Sequence, residues 1–259
     1  MTKQKPDKAV YFVGAGPGDP ELMTVKGMRL LEQAEVVIYA GSLINPDVLD
    51  FCNPKAEQID SAPLCLDYIV KVIIDRARRG QLVVRMHSGD PSIYSTIGEQ
   101  MKMLSEAGID FGVVPGVSSL GATAAALQCE LTLPGVSQTV IITRAPGRTP
   151  VPERELIATL AAHQSMMAIF LSAGRVADVQ EMLLEHYPAE TPAAAVQHAS
   201  WSKEKKVNTT VGGLVDSFHE AGIDRTAIIL VGDALYNEGE KSKLYDRNFS
   251  HGYREGIKE

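Results

Sequence analysis

Two glycine-rich loops in the sequence contain the same Gly-Asp-Pro triplet. The first loop, Gly14–Pro20, follows the apolar run Val10–Val13, and the second, His87–Ser92, follows the apolar run Leu82–Met86. Glycine lets a ligand approach the backbone closely, and an ionised aspartate accepts hydrogen bonds. Because each loop joins a predicted strand to a predicted helix, both stand where open α/β sheets bind their ligands.

The first loop does not fit a dinucleotide-binding motif. Its third glycine, Gly18, comes one residue too early for the GxGxxG spacing. Pro17 and Pro20 lack the backbone N–H groups that such a loop directs at phosphate. No acidic residue follows the second predicted strand, Val36–Tyr39, to bind a ribose hydroxyl. A tight structural turn stays open as an alternative, and a nicotinamide enzyme or a non-catalytic nucleotide-binding module is disfavoured.

A third turn, Pro115–Ser119, follows another predicted strand, Phe111–Val114. The carboxyl ends of parallel strands meet at one edge of a sheet, so we expect the three turns to form a small-molecule cleft there. Asp90 is the candidate for a polar catalytic role, with capping of a helix that begins at Ile93 as the alternative. His87 either touches the ligand or is a hydrogen-bonded structural histidine.

Strand-length apolar runs alternate with helical patterns along the whole chain, which is typical of α/β folds. Further strands are predicted at 139–143, 168–171, 194–197, 207–211 and 227–231, and helices at 24–34, 68–79, 93–107, 153–162, 175–186 and 214–221. An alanine-rich stretch after Ser119 separates two such blocks. We predict two α/β domains, at residues 1–117 and 118–237, followed by a tail at 238–259.

The composition excludes several classes of protein. The 259 residues carry 25 basic and 32 acidic side chains, and a net charge of −7 disfavours a nucleic-acid partner. Cys52, Cys65 and Cys129 lie far apart, which disfavours a zinc site or a disulfide framework and favours a reducing compartment. No apolar run approaches the ~20 residues of a membrane span, so we expect a cytoplasmic protein without a membrane partner.

The motifs resemble those of the tetrapyrrole (corrin/porphyrin) methylases. The resemblance runs from Val10 to about Leu235 and is carried by VGAGPGDPELMTVKG, RMHSGDPSIY, VVPGVSS and TAIILVG. Finer matches, among them YAGSL and SQTVIITR, are similar to the branch that methylates C-11 of precorrin-4 or of its cobalt form in cobalamin biosynthesis.

The resemblance implies a homodimer whose chains have two α/β domains with mixed sheets and an interdomain cleft. Such a protein transfers a methyl group from S-adenosylmethionine to a tetrapyrrole. Its expected S-adenosylmethionine contacts are Pro17, Ser88, Gly89, Asp90, Ile93, Ser118 and Ser119 in the first half, and Leu171, Ala199, Thr226 and Ala227 in the second. Trp201 neighbours Ala199 and is expected to pack there or at a subunit contact. No protein-bound metal is implied, because any cobalt would belong to the macrocycle, and both forms of the substrate stay open.

Two further features concern the substrate. Family members that methylate uroporphyrinogen III carry an acidic residue after the second strand and a lysine further on, whereas this chain has Ala40 and no lysine in Asp60–Asp67. That departure disfavours the uroporphyrinogen reaction. A polycarboxylate substrate also requires local cations, and Arg144 and Arg148 are the expected ones. The other candidates are Arg85, Arg175, Lys203, Lys205 and Lys206, with a solvated hairpin face as the alternative for the lysines.

Overall fold

The structure, a computed structural model, describes residues 6–236 and 239–257. The chain divides into two compact units, which confirms the predicted two-part α/β architecture. The first unit runs up to Ala122 and also contains His198–Glu204, and the second contains Thr123–Gln197 and the chain from Lys205 onward. The predicted boundaries after residues 117 and 237 stay predictions, and the second of them lies at residues outside the described ones.

The first unit is built on a parallel sheet of five strands. Its strands are β1 (Val10–Gly14), β2 (Val36–Tyr39), β3 (Glu57–Asp60), β4 (Val83–His87) and β5 (Phe111–Val114). Their order is β3-β2-β4-β1-β5, and all four pairings are parallel. Its helices are α1 (Val25–Leu31), α2 (Leu66–Arg78) and α3 (Ile97–Glu106).

Helices cover both faces of this sheet, which explains the unbroken apolar runs of its central strands. In β1, Val10 and Phe12 point to the core formed with α2 and α3. Tyr11 and Val13 point to the opposite core, formed with α1. The edge strand β3 is short and mostly exposed, so it lacked the apolar pattern that predicts a strand and was missed.

The second unit contains a mixed sheet of five strands. They are β6 (Val140–Arg144), β7 (Met166–Phe170), β8 (Pro192–Gln197), β9 (Lys205–Thr210) and β10 (Ala227–Val231). Their order is β6-β7-β10-β8-β9, with β6 and β7 parallel and the other three pairings antiparallel. Helices α5 (Ile157–Ala161), α6 (Val176–Leu184) and α7 (Leu214–Ala221) pack on one face through a core that includes Ile157, Leu183 and Phe218. Helix α4 (Ser119–Leu127) contains the boundary between the units.

Several predicted elements begin or end elsewhere in the structure. The helix predicted from residue 93 begins at Ile97, because Tyr94 and Thr96 adopt left-handed backbone angles that a helix does not allow. The helix predicted from residue 153 begins at Ile157, after a short 3-10 turn. Strand β7 ends at Phe170, and Leu171 has a φ of 53°. None of the described helices is long and apolar enough to cross a membrane.

Candidate functional site

The first two loops meet at the carboxyl edge of the parallel sheet, as predicted. Strand β1 pairs with β4 so that Gly14 lies opposite His87, and the backbone N–H of Ala15 donates to the carbonyl of His87 over 2.8 Å. Beyond the strands, Gly16 and Gly89 exchange backbone hydrogen bonds of 3.3 and 2.7 Å. The two loops therefore form one continuous backbone surface.

The third turn joins them through glycine packing. A Cβ atom at Gly14 would lie 2.6 Å from the Cα of Gly116 and 2.7 Å from the carbonyl oxygen of Gly89. A Cβ atom at Gly116 would lie 2.2 Å from that same oxygen. Real Cβ atoms do not come this close to other atoms, so the three backbones can pack together only with glycine at positions 14 and 116.

Asp90 ties two of these turns together. Its Oδ2 accepts a 2.9 Å hydrogen bond from the backbone N–H of Gly116, and its Oδ1 accepts from the N–H of Ser92 over 2.8 Å and from the Ser92 hydroxyl. Partial burial raises the pKa of this carboxyl, but the hydrogen bonds from Ser92 and Gly116 outweigh that effect and the net pKa is lowered. Asp90 thus stays ionised at neutral pH.

Asp90 does not cap a helix in the way that the alternative interpretation required. Helix α3 begins four residues later than expected, and the residue preceding it is Thr96. Asp90 instead closes a short turn with Ser92 and fastens it to Gly116. This position orients the loop backbone, and a direct role of Asp90 in the reaction stays a prediction.

The expected S-adenosylmethionine contacts of the first unit lie around this junction of the three turns. Gly89 is buried with a φ of +64°, and a Cβ atom there would lie 3.5 Å from the backbone nitrogen of Ser119. Ser88, Ile93 and Ser118 are half-buried next to it. Backbone groups, hydroxyls and one aliphatic side chain match the amino-acid head and purine of S-adenosylmethionine, which carries no phosphate. The residues present therefore fit that molecule.

Pro17, the remaining contact expected from the loops, lies in a segment held by side chains. Its carbonyl accepts a 2.8 Å hydrogen bond from Nε1 of Trp201, and the carbonyl of Gly18 accepts a 2.9 Å bond from Nδ2 of Asn45. Ala199 is buried two residues before Trp201. Asn45 was not among the candidate residues, because a polar residue before a proline indicates only a turn.

In the second unit, the expected contacts lie at a single edge of the mixed sheet. Arg144 ends β6 opposite Phe170, the last residue of β7, and Leu171 follows with 74% of its surface exposed. Strand β10 runs antiparallel to β7, so Thr226 and Ala227 at its beginning belong to the same edge. Thr226 has a φ of 54° and is exposed, while Ala227 is buried.

The two expected substrate cations differ in their surroundings. The Arg144 guanidinium donates to the carbonyls of Ala145, Thr149 and Pro150 over 3.3, 3.3 and 2.8 Å. It therefore shapes the loop that follows β6. Arg148, within that loop, is exposed and makes no hydrogen bond or ion pair with the described residues. Of the pair, Arg148 has the free guanidinium.

The other candidate cations have partners of their own. Arg175 pairs with Asp178, and Lys203 lies 4.7 Å from the centre of the Trp201 ring. Lys205 and Lys206 donate to the carbonyls of Ala221 and Ala126 over 2.9 and 2.6 Å. Both lysines are nevertheless exposed on strand β9, which agrees with the solvated hairpin face given as the alternative.

Arg85 and His87 are buried in the sheet core on the α2 and α3 side. Arg85 donates to the hydroxyl of Ser61 over 2.8 Å, and burial lowers its pKa to about 10. Burial and the neighbouring Arg85 charge lower the pKa of His87 to about 3, and its ring lies 6.0 Å from that of Phe12. His87 is thus a neutral core histidine at physiological pH, and neither side chain lies on the loop surface.

Within residues 6–236 and 239–257, no three His, Cys, Asp or Glu side chains form a group that could hold a metal ion. The candidate site of the first unit consists of backbone groups, hydroxyls and one carboxylate. Such a set suits binding and alignment of an organic cosubstrate.

Comparison with known proteins agrees with this geometry. The family model of the Tetrapyrrole (Corrin/Porphyrin) Methylases matches residues 9–215. The chain is 50% identical over 254 residues to the cobalt-precorrin-4 C(11)-methyltransferase of Methanocaldococcus jannaschii, which covers 97% of this chain and 98% of that protein.

Two solved structures are similar. A cobalt precorrin-4 methyltransferase, described as a cobalamin biosynthetic enzyme, has a TM-score of 0.86 and 46% identity, covering 88% of this chain and 96% of the other. A uroporphyrin-III C-methyltransferase of Thermus thermophilus, solved with S-adenosylhomocysteine, has a TM-score of 0.74 and 28% identity, covering 87% of this chain and 98% of the other. This chain belongs to the tetrapyrrole methylase family.

Proposed function

We propose that this protein transfers a methyl group from S-adenosylmethionine to C-11 of precorrin-4 or cobalt-precorrin-4. The observation that carries the proposal is the junction of three strand-to-helix turns around Gly89. The name of the relative with 50% identity supports the C-11 position. The S-adenosylhomocysteine bound by a family member supports the donor.

The chain contributes binding and alignment to this reaction. When bound, S-adenosylmethionine supplies an electrophilic methyl group, and the electron pair of the broken carbon–sulfur bond stays on sulfur. Well-oriented reactants can gain ~7–11 kcal/mol from alignment alone. The glycine-packed turns offer a rigid backbone surface for this purpose, and Asp90 keeps their spacing through Gly116. Its carboxylate accepts three hydrogen bonds, which supports a role of Asp90 in orienting the loops, and its direct role in the reaction stays a prediction.

Arg148 is the proposed anchor for the substrate's carboxylates. It is exposed and lies in the loop that Arg144 shapes, so its guanidinium is available for a bidentate carboxylate pair. Ala40 and the lysine-free segment Asp60–Asp67 support a later corrin step over methylation of uroporphyrinogen III.

Three further features belong to the same proposal. The homodimer follows from the resemblance to the family. The net charge of −7 supports the absence of a nucleic-acid partner. Cys52, Cys65 and Cys129 are free thiols, which supports a reducing, cytoplasmic location.

The test is product analysis with the purified full chain. Incubation with S-adenosylmethionine and either precorrin-4 or cobalt-precorrin-4 is expected to add one methyl group, which mass spectrometry detects and NMR places at C-11. The ratio of the two rates decides which form is the substrate. Efficient dimethylation of uroporphyrinogen III without turnover of either later intermediate would overturn the proposal.

A further inference from the structure

The segment His198–Glu204 lies across the first glycine loop and is fastened to it at two successive peptide units. Nε1 of Trp201 donates to the carbonyl of Pro17 over 2.8 Å. The backbone N–H of Asp19 donates to the hydroxyl oxygen of Ser200 over 3.0 Å. The partners are 184 and 181 positions apart in sequence, so only tertiary folding brings them together.

Gly18, between those two attachment points, is the residue on which the indole rests. A Cβ atom at Gly18 would lie 2.0 Å from Cδ1 and 2.2 Å from Nε1 of Trp201. The glycine is therefore required for the close approach of the ring. Loop and indole are complementary in shape as well as in hydrogen bonding.

The segment is itself held in the conformation that presents the indole. His198 and Ser200 have left-handed φ angles of 52° and 68°. The backbone N–H of Ser200 donates to the Glu204 carboxylate over 2.7 Å, and the N–H of Glu204 donates to the carbonyl of Trp201 over 3.0 Å. These bonds fix the backbone of the turn from which the indole projects.

On its other side, the same loop is joined to the second glycine loop. Gly16 and Gly89 exchange two backbone hydrogen bonds, and Asn45 holds the carbonyl of Gly18. Residues 16–19 are consequently restrained by the second glycine loop, by Asn45 and by the segment His198–Glu204. Of these restraints, the two through Trp201 and Ser200 come from side chains more than 180 positions away.

We propose that Trp201 is a positioning residue that holds Pro17 and Gly18 in the geometry that binds S-adenosylmethionine. The inference rests on the proposed function, because Pro17 is an expected contact of that donor. A restrained loop loses less conformational entropy when the ligand binds, so removing the restraint weakens binding. Removal of the restraint is expected to weaken the binding of S-adenosylmethionine through the loop. The proposed tetrapyrrole contacts of the second unit are expected to stay unchanged.

The experiment compares Trp201→Phe with Tyr253→Phe in the full chain. Trp201→Phe keeps an aromatic ring but removes the hydrogen bond to the carbonyl of Pro17. Tyr253→Phe is the control, because it also removes one polar group from an aromatic side chain, at a fully exposed position. Calorimetry with S-adenosylhomocysteine is expected to show a threefold to tenfold weaker affinity for Trp201→Phe. The control is expected to match the wild type within twofold.

Kinetics distinguish positioning from a general loss of structure. Trp201→Phe is expected to raise KM for S-adenosylmethionine by a similar factor while kcat and KM for the tetrapyrrole change less than twofold. Ser200→Ala, which removes only the bond from Asp19, is expected to produce the same pattern with about a threefold change. If Trp201→Phe fails to fold, Ser200→Ala carries the test.

Trp201 is the only tryptophan of the chain, so its emission reports on this contact alone. Addition of S-adenosylhomocysteine to the wild type is expected to change the emission intensity or wavelength in proportion to occupancy. Wild-type binding without any change in emission, together with unaltered affinity of both variants, would overturn the positioning role. Absence of wild-type binding would instead overturn the proposed function, so the two failures are distinguishable.

Discussion

The backbone N–H of Gly116 donates a 2.9 Å hydrogen bond to Oδ2 of Asp90, which joins the turns after β5 and β4. These turns flank the first glycine loop, since β1 lies between β4 and β5 in the sheet. One carboxylate thereby keeps the outer turns at a constant separation around the central loop. We therefore expect the geometry of the proposed S-adenosylmethionine site to depend on this bond.

Asp90→Asn keeps the size of the side chain but removes its negative charge, so it tests how the charge contributes to stability. The folded pKa of Asp90 lies below its unfolded value of 3.8, so its ionisation stabilises the fold above that pH and this contribution is lost as pH falls through the folded pKa. Denaturation at pH 7 and pH 3 is expected to show a smaller acid-induced loss in Asp90→Asn than in the wild type. An equal loss in both proteins would contradict the assignment of the lowered pKa.

Gly116→Ala tests the glycine packing of the three turns. The new Cβ atom would lie 2.2 Å from the carbonyl oxygen of Gly89, and displacement of packed backbone typically costs about 1–3 kcal/mol. Urea denaturation is expected to show that loss. Gly98→Ala is the control, because a Cβ atom there meets nothing within 4 Å and alanine favours the helix. Equal stability of the two variants would refute close packing at Gly116.

The stability of the first unit is expected to depend on pH through His87. Its folded pKa of about 3 lies below the unfolded value of 6.5, so the unfolded chain binds the proton more readily between these values. The contribution of neutral His87 to the free energy of unfolding is then fully present above pH 6.5. The free energy of unfolding is expected to fall by about 1–2 kcal/mol between pH 7 and pH 5. Chemical denaturation at the two pH values measures this difference. His87→Phe is expected to flatten it, whereas substitution of the exposed His219 by Gln leaves it intact.

Alanine variants of Arg144 and Arg148 are expected to distinguish a role in loop structure from a role in substrate binding. Arg148→Ala removes an exposed guanidinium, so tetrapyrrole affinity is expected to fall about tenfold with unchanged thermal stability and unchanged affinity for S-adenosylhomocysteine. Arg144→Ala also removes bonds to the carbonyls of Thr149 and Pro150, and about 1 kcal/mol of stability is expected to be lost with it. Full tetrapyrrole affinity in both variants would exclude them as carboxylate anchors.

Much of the architecture was determined by local sequence patterns. The apolar runs Val36–Tyr39, Phe111–Val114 and Ala227–Val231 are strands with the predicted bounds. The first and third are almost entirely buried, which requires continuous apolar side chains, whereas Phe111–Val114 is an edge strand. The gathering of the glycine loops also followed from the sequence, since parallel strands place their carboxyl ends at one edge.

Other features were decided only by the tertiary structure. Strand β3 forms because β2 offers it a parallel edge, and its polar residues 57–60 carry no strand signal of their own. Arg144 was expected from the sequence to bind a substrate carboxylate, and in the structure its guanidinium donates to carbonyls of the loop after β6. The Trp201–Pro17 bond joins residues 184 positions apart, and no local pattern encodes such a distance. Local spacing determines which elements form, whereas the partners of polar side chains depend on how those elements pack.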